Sequence, residues 1–198
     1  MPEQTPPKSL DISNKPSPHG LKNKLGRVAW AFVQATLFRF SPRPCRKWRV
    51  LLLRCFGANV SWKARIMPSA TIWAPWNLEM DDYATLGDGV ICYCVDRTRI
   101  GRQTTVSQYS YLCGATHGFE LPDFPLQPMP ITIGADCWIA ADVFVAPGVT
   151  IGDGTVVGAR SSVFNDLPPG KVCVGTPARP VRDRVIQDVA QDIAEAPG

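Results

Sequence analysis

The chain has 198 residues, of which 45% are hydrophobic, which is enough to bury a core and excludes disorder over the whole length. Its 16 glycines and 19 prolines are too many for an all-helical bundle. The formal net charge of +4 is divided unevenly: residues 1–65 carry 13 basic and two acidic side chains, and residues 66–198 carry eight basic and 15 acidic ones. A basic N-terminal part and an acidic C-terminal part are therefore expected.

The basic part divides into a leader and a helical segment. Residues 1–20 contain five prolines and no aromatic residue, which predicts a disordered leader that lacks the apolar centre of a signal peptide. From Leu21 to Phe40 apolar residues recur at helical spacing, and two prolines then end that helix. A second helix is predicted from Cys45 to Phe56, so that residues 21–57 form a basic helical segment. Its longest apolar stretch has 11 residues, whereas a membrane crossing needs about 20.

The cysteines indicate a reducing compartment. There are seven of them, an odd number without the spacing of a small disulfide scaffold. They are interpreted as reduced thiols of a cytoplasmic protein. Cys92 and Cys94 form a lone C-x-C pattern without a second ligand pair, so no metal site is expected.

The C-terminal half contains an internal repeat of six residues. The repeating aliphatic positions are Ile133, Ile139, Val145, Ile151, Val157 and Val163. In five of these six cases the next residue is glycine or alanine. A helix returns its apolar face every three or four residues and a flat strand every two, so neither explains this period. Six residues per side fits a triangular coil, a parallel β-helix in which three sides make one turn.

Upstream the repeat is looser and changes phase once. One phase runs through Val60, Ile66, Ile72, Leu78, Ala84 and Val90, and a second runs through Cys94, Ile100, Val106 and Leu112. The four-residue slip between Val90 and Cys94 predicts a bulge. Sixteen positions at three per turn predict about five turns over residues 58–180. Residues 181–198 have apolar side chains at helical spacing and are predicted to form a short C-terminal helix and tail.

One loop leaves the coil. The repeat jumps 21 residues from Leu112 to Ile133, which predicts an excursion over residues 113–130. This loop contains His117, the only histidine of the predicted folded region. An imidazole accepts and releases protons near neutral pH, so His117 is the candidate general base for a reaction at a hydroxyl group.

The repeat, the loop histidine and two further segments resemble a known family. The segments are Ile131 to Gly154, which begins Ile-Thr-Ile-Gly-Ala-Asp-Cys-Trp-Ile-Ala, and Gly175-Thr-Pro-Ala-Arg-Pro-Val-Arg182. With Thr116-His117 they resemble the left-handed β-helix (hexapeptide-repeat) acetyltransferases, most of all those of colanic acid biosynthesis and the maltose, galactoside and nodulation-factor O-acetyltransferases. The resemblance covers about residues 45–185. It implies a mainly β protein, a left-handed parallel β-helix with an N-terminal helical segment and a short C-terminal helix.

The resemblance also implies a function. It predicts an acetyl-CoA-dependent O-acetyltransferase that needs no metal and forms a homotrimer with active sites between subunits. His117 would remove the proton of a sugar hydroxyl as that oxygen attacks the acetyl carbonyl in a direct transfer. The residues assigned to acetyl-CoA are Trp138, Ala141, Gly158, Ala159, Arg179 and Arg182.

Several of these cofactor assignments have a plainer alternative. Trp138 is expected to line the pantetheine channel, or else to be ordinary packing. The backbone N–H of Ala141 would stabilise the oxyanion. Residues 158–159 would admit the cofactor chain close to the backbone, although the repeat itself also requires small residues there. Arg179 and Arg182 would meet the CoA phosphates, or else form a solvated basic pair.

Three further points concern the loop and the last coil. Glu120 or Asp123 is a candidate to orient the imidazole, although loop carboxylates are more often solvated. Cys113 could form a Cys–His nucleophilic pair with His117, but direct transfer needs no covalent step. Phe164-Asn165 stands where related enzymes often show Thr-Lys, so one cofactor contact is expected to be lost or replaced, with Arg160 as a candidate.

Other functions are weighed against this one. Zinc carbonic anhydrases share the coil but need several histidine ligands, and this chain has only His19 and His117, which excludes that class. Acyl transfer to another small hydroxyl acceptor and a non-catalytic β-helix scaffold or binding protein are the remaining alternatives. The expected acceptor is a polysaccharide or lipid-linked saccharide precursor, and no nucleic-acid partner is expected.

The basic segment has two interpretations. Residues 21–56 could rest on an anionic membrane, at the inner face of the cytoplasmic membrane where lipid-linked acceptors are held. Alternatively, they form a cap that packs on the coil or on a neighbouring subunit.

Overall fold

The computed structural model describes residues 20–187, which form a three-sided parallel β-helix with a helical pair at its N-terminal end. Apart from Gly20, the predicted leader lies outside the described residues, as do residues 188–198 of the predicted tail. The helical elements are α1 (Leu21–Val33), a π-helical turn (Gln34–Phe38), α2 (Arg46–Cys55) and a 3₁₀ turn (Pro75–Asn77). The strands are β1 (Asn59–Val60), β2 (Arg65–Ile66), β3 (Thr71–Ile72), β4 (Leu78–Met80), β5 (Thr85–Leu86), β6 (Ile91–Tyr93), β7 (Thr98–Ile100), β8 (Thr105–Val106), β9 (Tyr111–Cys113), β10 (Ala115–His117), β11 (Leu126–Pro128), β12 (Ile131–Ile133), β13 (Trp138–Ile139), β14 (Phe144–Val145), β15 (Thr150–Ile151), β16 (Val156–Val157), β17 (Ser162–Val163), β18 (Lys171–Gly175) and β19 (Ala178–Asp183).

Three sheets form the sides of the coil. The first face has the strand order β1-β4-β7-β12-β15, and the third face has the order β3-β6-β9-β14-β17. The second face has the order β2-β5-β8-β13-β16-β18-β19. On these three faces, each strand up to β17 pairs in parallel with the equivalent strand one turn away. Five complete turns are present between β1 and β17, which confirms the predicted coil.

A single column of side chains fills the interior. Each of the fifteen strands in these turns places one residue in the column, and each of these residues is at most 2% exposed. The column consists of Val60, Ile66, Ile72, Met80, Leu86, Cys92, Ile100, Val106, Leu112, Ile133, Ile139, Val145, Ile151, Val157 and Val163. At the corners the turns approach each other closely. A Cβ at Gly152 would lie 2.6 Å from the backbone nitrogen of Pro169, which explains the glycine that follows Ile151.

The predicted phase between Ile72 and Ile100 is wrong. The column holds Met80, Leu86 and Cys92 instead of the predicted Leu78, Ala84 and Val90. Both sets are buried, because the residue two positions before each column residue also faces inward, and residue type alone does not separate them. The four extra residues are two inserts of two, since Ile72 to Met80 and Cys92 to Ile100 each span eight positions. The first insert forms the 3₁₀ turn and the second follows Tyr93, so no single four-residue bulge occurs.

The predicted helical pair is confirmed, and it caps the first turn of the coil. The edge of that turn carries backbone groups that no further strand can pair, and side chains of the pair bind them. The bonds are Arg54 Nη1–H to Val60 O (2.7 Å), Arg49 Nε–H to Ile66 O (2.7 Å), Trp30 Nε1–H to Ile72 O (2.7 Å) and Ile72 N–H to Gln34 Oε1 (2.8 Å). Part of the positive charge of this segment is therefore structural.

The C-terminal helix predicted to begin at Val181 is wrong at its start. Residues 178–183 form β19, which pairs antiparallel with β18 at the end of the second face. Arg184 then donates to the carbonyl oxygen of Gly154 at 3.0 Å, and no helix follows up to Gln187. The strand forms because β18 would otherwise be an unpaired edge, and pairing with β19 satisfies its backbone groups. The helical spacing of the apolar residues contains no information about this unpaired edge, which exists only in the folded protein.

Candidate active site

The loop predicted over residues 113–130 folds as a hairpin. It leaves the coil between β9 and β12, at the edge that joins the third and first faces, and its strands β10 and β11 pair with His117 opposite Leu126. Its base is fixed on the coil, because the N–H of Gly114 donates to the Tyr93 carbonyl at 2.9 Å. A Cβ at Gly114 would lie 2.5 Å from the same oxygen, so the coil admits only glycine there.

His117 is held in one orientation by Phe124. The imidazole is half-buried at the end of β10 and stacks on the Phe124 ring, with centroids 4.6 Å apart and planes inclined by 10°. Its Nδ1 lies 3.0 Å from the Phe124 carbonyl oxygen. Because a carbonyl oxygen only accepts hydrogen bonds, Nδ1 carries the hydrogen, and in the neutral ring the lone pair is on Nε2. His117 is therefore in the tautomer in which Nε2 can accept a proton from a substrate.

Neither of the predicted carboxylates orients this histidine. Glu120 and Asp123 are exposed, and within residues 20–187 neither makes a hydrogen bond or ion pair with His117. The acceptor is instead the backbone of Phe124, which adopts a left-handed conformation with φ of +46°. Every residue type has a backbone carbonyl, so the sequence could not indicate that the carbonyl of Phe124 is the acceptor.

The Cys–His pair is not formed. The Cys113 thiol donates to the carbonyl of Ala115 at 3.2 Å and lies beside Tyr93 on the neighbouring strand. Burial and the contact with Cys113 raise the pKa of Tyr111 to about 12, and burial also raises the pKa of Tyr93. Two neutral phenols therefore stand at the base of the hairpin. The sequence did not single them out: Tyr93 lies in the segment whose phase was predicted wrongly, and Tyr111 has no distinguishing signal beside Leu112.

Trp138 is a surface residue. Its side chain is 50% exposed on β13, and its Nε1–H donates to the Ser107 hydroxyl at 3.0 Å. It lines a groove of about 420 Å³ on the second face together with Gln103, Cys137 and Arg184. The exposed part of the ring borders this groove.

Ala141 has a free backbone N–H. The N–H groups on either side of it donate to carbonyl groups of neighbouring turns, that of Ala140 to Val157 at 2.9 Å and that of Asp142 to Gln108 at 3.0 Å. No acceptor in the described part of the chain binds the N–H of Ala141 itself. At the same position of another corner, the N–H of Ala135 is bound by the Asp153 carboxylate at 2.7 Å. Ala141 therefore offers a donor that the fold leaves unused.

The remaining predicted cofactor residues lie further along the coil, residues 158–159 one turn beyond Ala141 and the two arginines on β19. At residues 158–159 the same pattern recurs, because the N–H of Gly158 donates to Cys173 at 2.8 Å and that of Ala159 has no acceptor within residues 20–187. Arg179 and Arg182 are exposed on β19, and neither guanidinium pairs with a carboxylate of the described residues. Arg160, the candidate replacement contact, is exposed and lies 3.4 Å from Asp142.

A single chain does not bring the base and the cofactor residues together. Trp138 lies on the second face, and Ala141 and residues 158–159 lie at the corner between the second and third faces. His117 lies on the hairpin at a different edge. Among residues 20–187, no hydrogen bond or ring contact joins His117 to any of the six predicted cofactor residues.

Comparison with known proteins identifies related sequences and folds. The family described as "Bacterial transferase hexapeptide (six repeats)" matches residues 130–165. A protein of Escherichia coli strain K12, WcaF, which is named as a colanic acid biosynthesis acetyltransferase, is 48% identical over 177 residues, covering 88% of this chain and 97% of the relative.

Solved structures show the same architecture. The hexapeptide-repeat acetyltransferase VCA0836 of Vibrio cholerae O1 biovar eltor, in complex with acetyl-CoA, matches with a TM-score of 0.75 at 24% identity over 84% of this chain and 91% of that one. A galactoside acetyltransferase in complex with coenzyme A matches with a TM-score of 0.71 at 26% identity over 84% of each chain. The first of these likenesses establishes the fold only.

Proposed function

The chain belongs to the hexapeptide-repeat acetyltransferases, and from this premise we propose that it transfers an acetyl group from acetyl-CoA to a hydroxyl of a saccharide during the biosynthesis of a polysaccharide. The names of WcaF and of the galactoside enzyme support a saccharide acceptor, and the galactoside enzyme's complex with coenzyme A supports the donor. The observation that carries the proposal is the bond between His117 Nδ1–H and the Phe124 carbonyl, because it leaves Nε2 able to act as a base.

His117 acts by proton transfer. An alcohol that keeps its proton is a poor nucleophile, so Nε2 accepts that proton as the hydroxyl oxygen attacks the acetyl carbon. The imidazolium then gives the proton to the sulfur of departing CoA, which restores the starting tautomer. Throughout, the Phe124 carbonyl oxygen accepts from Nδ1–H and stabilises the charged ring. A positioned base of this kind contributes about 10²–10⁴-fold to the rate.

The free N–H of Ala141 is the proposed oxyanion donor. Negative charge develops on the acetyl oxygen during the attack, and a donor already fixed by the fold stabilises it without reorganisation. Ala141 meets this requirement because the bonds of both neighbouring N–H groups hold the corner in place.

Four features form the proposed acetyl-CoA site. Trp138 and residues 158–159 line the path of the pantetheine arm, and Arg179 and Arg182 meet the phosphates. Alanine at either arginine should raise the KM for acetyl-CoA about tenfold, as expected for loss of one charge-assisted bond of about 1.5 kcal/mol or more, and leave kcat nearly unchanged. Arg99→Ala is the matched control, since Arg99 contacts Asp81 on the first face. An equal KM in all three variants would remove both arginines from the site.

We place each active site between two subunits of a homotrimer. The separation of His117 from the cofactor residues within one chain supports this arrangement, because a neighbouring copy can supply the second half. A complementation experiment tests it. His117→Ala and the Arg179→Ala/Arg182→Ala double variant, each weakly active at low acetyl-CoA, are unfolded together and refolded as a mixture. If the two halves of an active site come from different chains, mixed assemblies should regain activity. If each chain holds a complete site, the mixture should stay as weakly active as the separate variants.

We place the reaction in the cytoplasm. All seven cysteines are unpaired in the structure, in keeping with a reducing compartment. An acceptor held at an anionic membrane surface is compatible with the positive charge of residues 21–56.

Acceptor-dependent release of CoA tests the function as a whole. Purified protein is incubated with acetyl-CoA and a panel of nucleotide-linked and lipid-linked saccharides, and free thiol is followed with a chromogenic disulfide. At least one saccharide should accelerate release in the wild type and not in His117→Ala. Acceleration of equal size in both proteins would refute the general-base assignment, and none with any saccharide would count against a saccharide acceptor.

A further inference from the structure

Helix α1 packs on the coil with one face and exposes an apolar row on the opposite face. On one side Trp30 is 1% exposed and packs on the coil, in contact with Phe38 and Phe56. On the other side a row at positions i, i+4, i+7 and i+11 points away from the protein, and each member is between 61% and 74% exposed. The row consists of Leu21, Leu25, Val28 and Phe32. A surface helix of a globular protein needs only one apolar face, so the second face lacks a partner within the described chain.

The apolar row continues beyond α1. The π-helical turn, with its bond from Arg39 N–H to the Gln34 carbonyl, keeps Leu37 one turn below Phe32. Leu37 is followed by Phe40, which is 81% exposed, and by Trp48 of α2, whose Nε1–H donates to the Leu37 carbonyl at 3.1 Å. We call these seven residues, Leu21, Leu25, Val28, Phe32, Leu37, Phe40 and Trp48, the outward surface. The seven exposed side chains form one contiguous patch, whereas single exposed apolar residues are scattered over the surface of an ordinary globular protein.

The charges around the outward surface are all positive. Residues 20–57 contain nine lysines and arginines and no acidic residue. Four of these cations are held by the coil or the cap, namely Arg39, Arg43, Arg49 and Arg54. Four others are exposed and make no hydrogen bond or ion pair with the described residues, namely Lys22, Lys24, Arg46 and Lys47. Lys22 and Lys24 flank the apolar row of α1, so their long stems can lie beside it while their ammonium groups extend outward.

A groove opens beside the same helix. It has a volume of about 560 Å³ between α1 and β3 and is lined mainly by apolar atoms, including those of Val28, Trp30 and Trp73. Lys24 and Arg27 also line it, and the Arg27 guanidinium lies 4.8 Å from the centre of the Trp73 ring. An apolar groove with cations beside it fits a hydrocarbon chain that ends in an anionic phosphate group.

The positive charge decides between two occupants. A second copy placed face to face would bring like cations together, and their repulsion would oppose the gain from apolar burial. An anionic lipid surface accepts the apolar row and neutralises the flanking cations at once. No helix within residues 20–187 is long and apolar enough to cross a membrane, so α1 would lie along the interface.

We infer that the outward surface docks the protein on an anionic lipid bilayer, with α1 lying in the plane of the headgroups. The inference deepens the proposed function and rests on it for one point only, namely that an acceptor held in that bilayer would be acetylated without leaving it. The docking itself requires no turnover.

Vesicle flotation tests the docking with the full-length protein. Vesicles of phosphatidylcholine alone are compared with vesicles that also contain phosphatidylglycerol. The wild type should float with the anionic vesicles and stay at the bottom with the neutral ones, and about 0.5 M salt should reduce the floating fraction. Phe32→Glu should lower that fraction about fivefold or more, because it places a charge at the centre of the apolar row. Val185→Glu is the control, since Val185 is 74% exposed outside the outward surface.

Each outcome decides the inference. Wild-type protein that stays at the bottom with both kinds of vesicle, or Phe32→Glu that floats as well as wild type, would overturn it. If the wild type does not float and Phe32→Glu lowers the assembly mass measured by light scattering, the surface is an interface between copies and the inference is wrong. Flotation without any CoA release would refute the proposed function and leave the docking intact.

Discussion

Replacing His117 with asparagine should abolish acetyl transfer without unfolding the hairpin. The asparagine amide can still donate to the Phe124 carbonyl, 3.0 Å from Nδ1 in the wild type, but it has no lone pair that accepts a proton. Loss of a general base lowers kcat about 10²–10⁴-fold, which corresponds to about 3–5 kcal/mol of activation free energy. His117→Ala should be equally inactive, because the missing group is the same.

Stability separates the chemical loss from a structural one. His117→Ala removes one hydrogen bond, worth about 1 kcal/mol, and a ring stack at 4.6 Å, also worth about 1 kcal/mol. Its Tm should therefore fall by at most about 4–8 °C, and that of His117→Asn by less. Initial rates of CoA release and calorimetric melting measure both quantities.

Two neighbouring carboxylates provide the matched controls. Glu120→Gln and Asp123→Asn alter the same hairpin and should keep wild-type rates, since neither carboxylate contacts the imidazole. His117→Asn with more than about a tenth of the wild-type kcat would refute the reasoning, because it falls well short of the loss expected for a general base. Loss of activity in either carboxylate variant would show that a group other than Phe124 orients the base.

Three further variants test the helical cap, the hairpin and the phenol of Tyr111 at the base of the hairpin. Arg49→Leu removes the guanidinium donor from the backbone carbonyls of Ile66 and Arg43 at the capped end and should lower the free energy of unfolding by about 3 kcal/mol in urea titrations. Gly114→Ala places a methyl group 2.5 Å from the Tyr93 carbonyl oxygen, so it should displace the hairpin and reduce kcat while the far-UV circular dichroism stays that of the coil. Folding raises the pKa of Tyr111 to about 12 from an unfolded value of about 10, so its contribution to stability is present below pH 10 and disappears as the pH rises to about 12. Tyr111→Phe should lack that component in denaturant titrations across this range, and an unchanged pH dependence would contradict the assignment.

The coil could be predicted from the sequence because its rule is local. Each side takes six residues, with an aliphatic residue at the inward column position and, from Ile133 to Val157, a small residue at the crowded corner after it, so this pattern specifies the fold without knowledge of long-range contacts. The rule fails where both inward positions are apolar. Between Ile72 and Ile100 two phases fit equally well, and only pairing with the adjacent turns selects Met80, Leu86 and Cys92.

In the candidate site, too, part of the arrangement follows from residue type and part depends on packing. Residue type and loop position were enough to single out His117, because one histidine in one long loop is a chemical signal that does not depend on packing. Its orientation depends on the backbone of Phe124, and the free N–H of Ala141 depends on which neighbours are already bonded. Backbone groups are present at every residue, so residue identity carries no information about which of them are free.

The sequence by itself determined the coil, the excursion that carries the histidine and the basic character of the N-terminal segment. The tertiary structure decided how those charges are used. Composition gives only the total, whereas packing against the open end of the coil holds Arg49 and Arg54 in the cap and leaves Lys22 and Lys24 beside an exposed apolar row. It likewise turned the predicted start of the C-terminal helix into β19, because the unpaired edge of β18 needed hydrogen-bond partners that a helix could not supply.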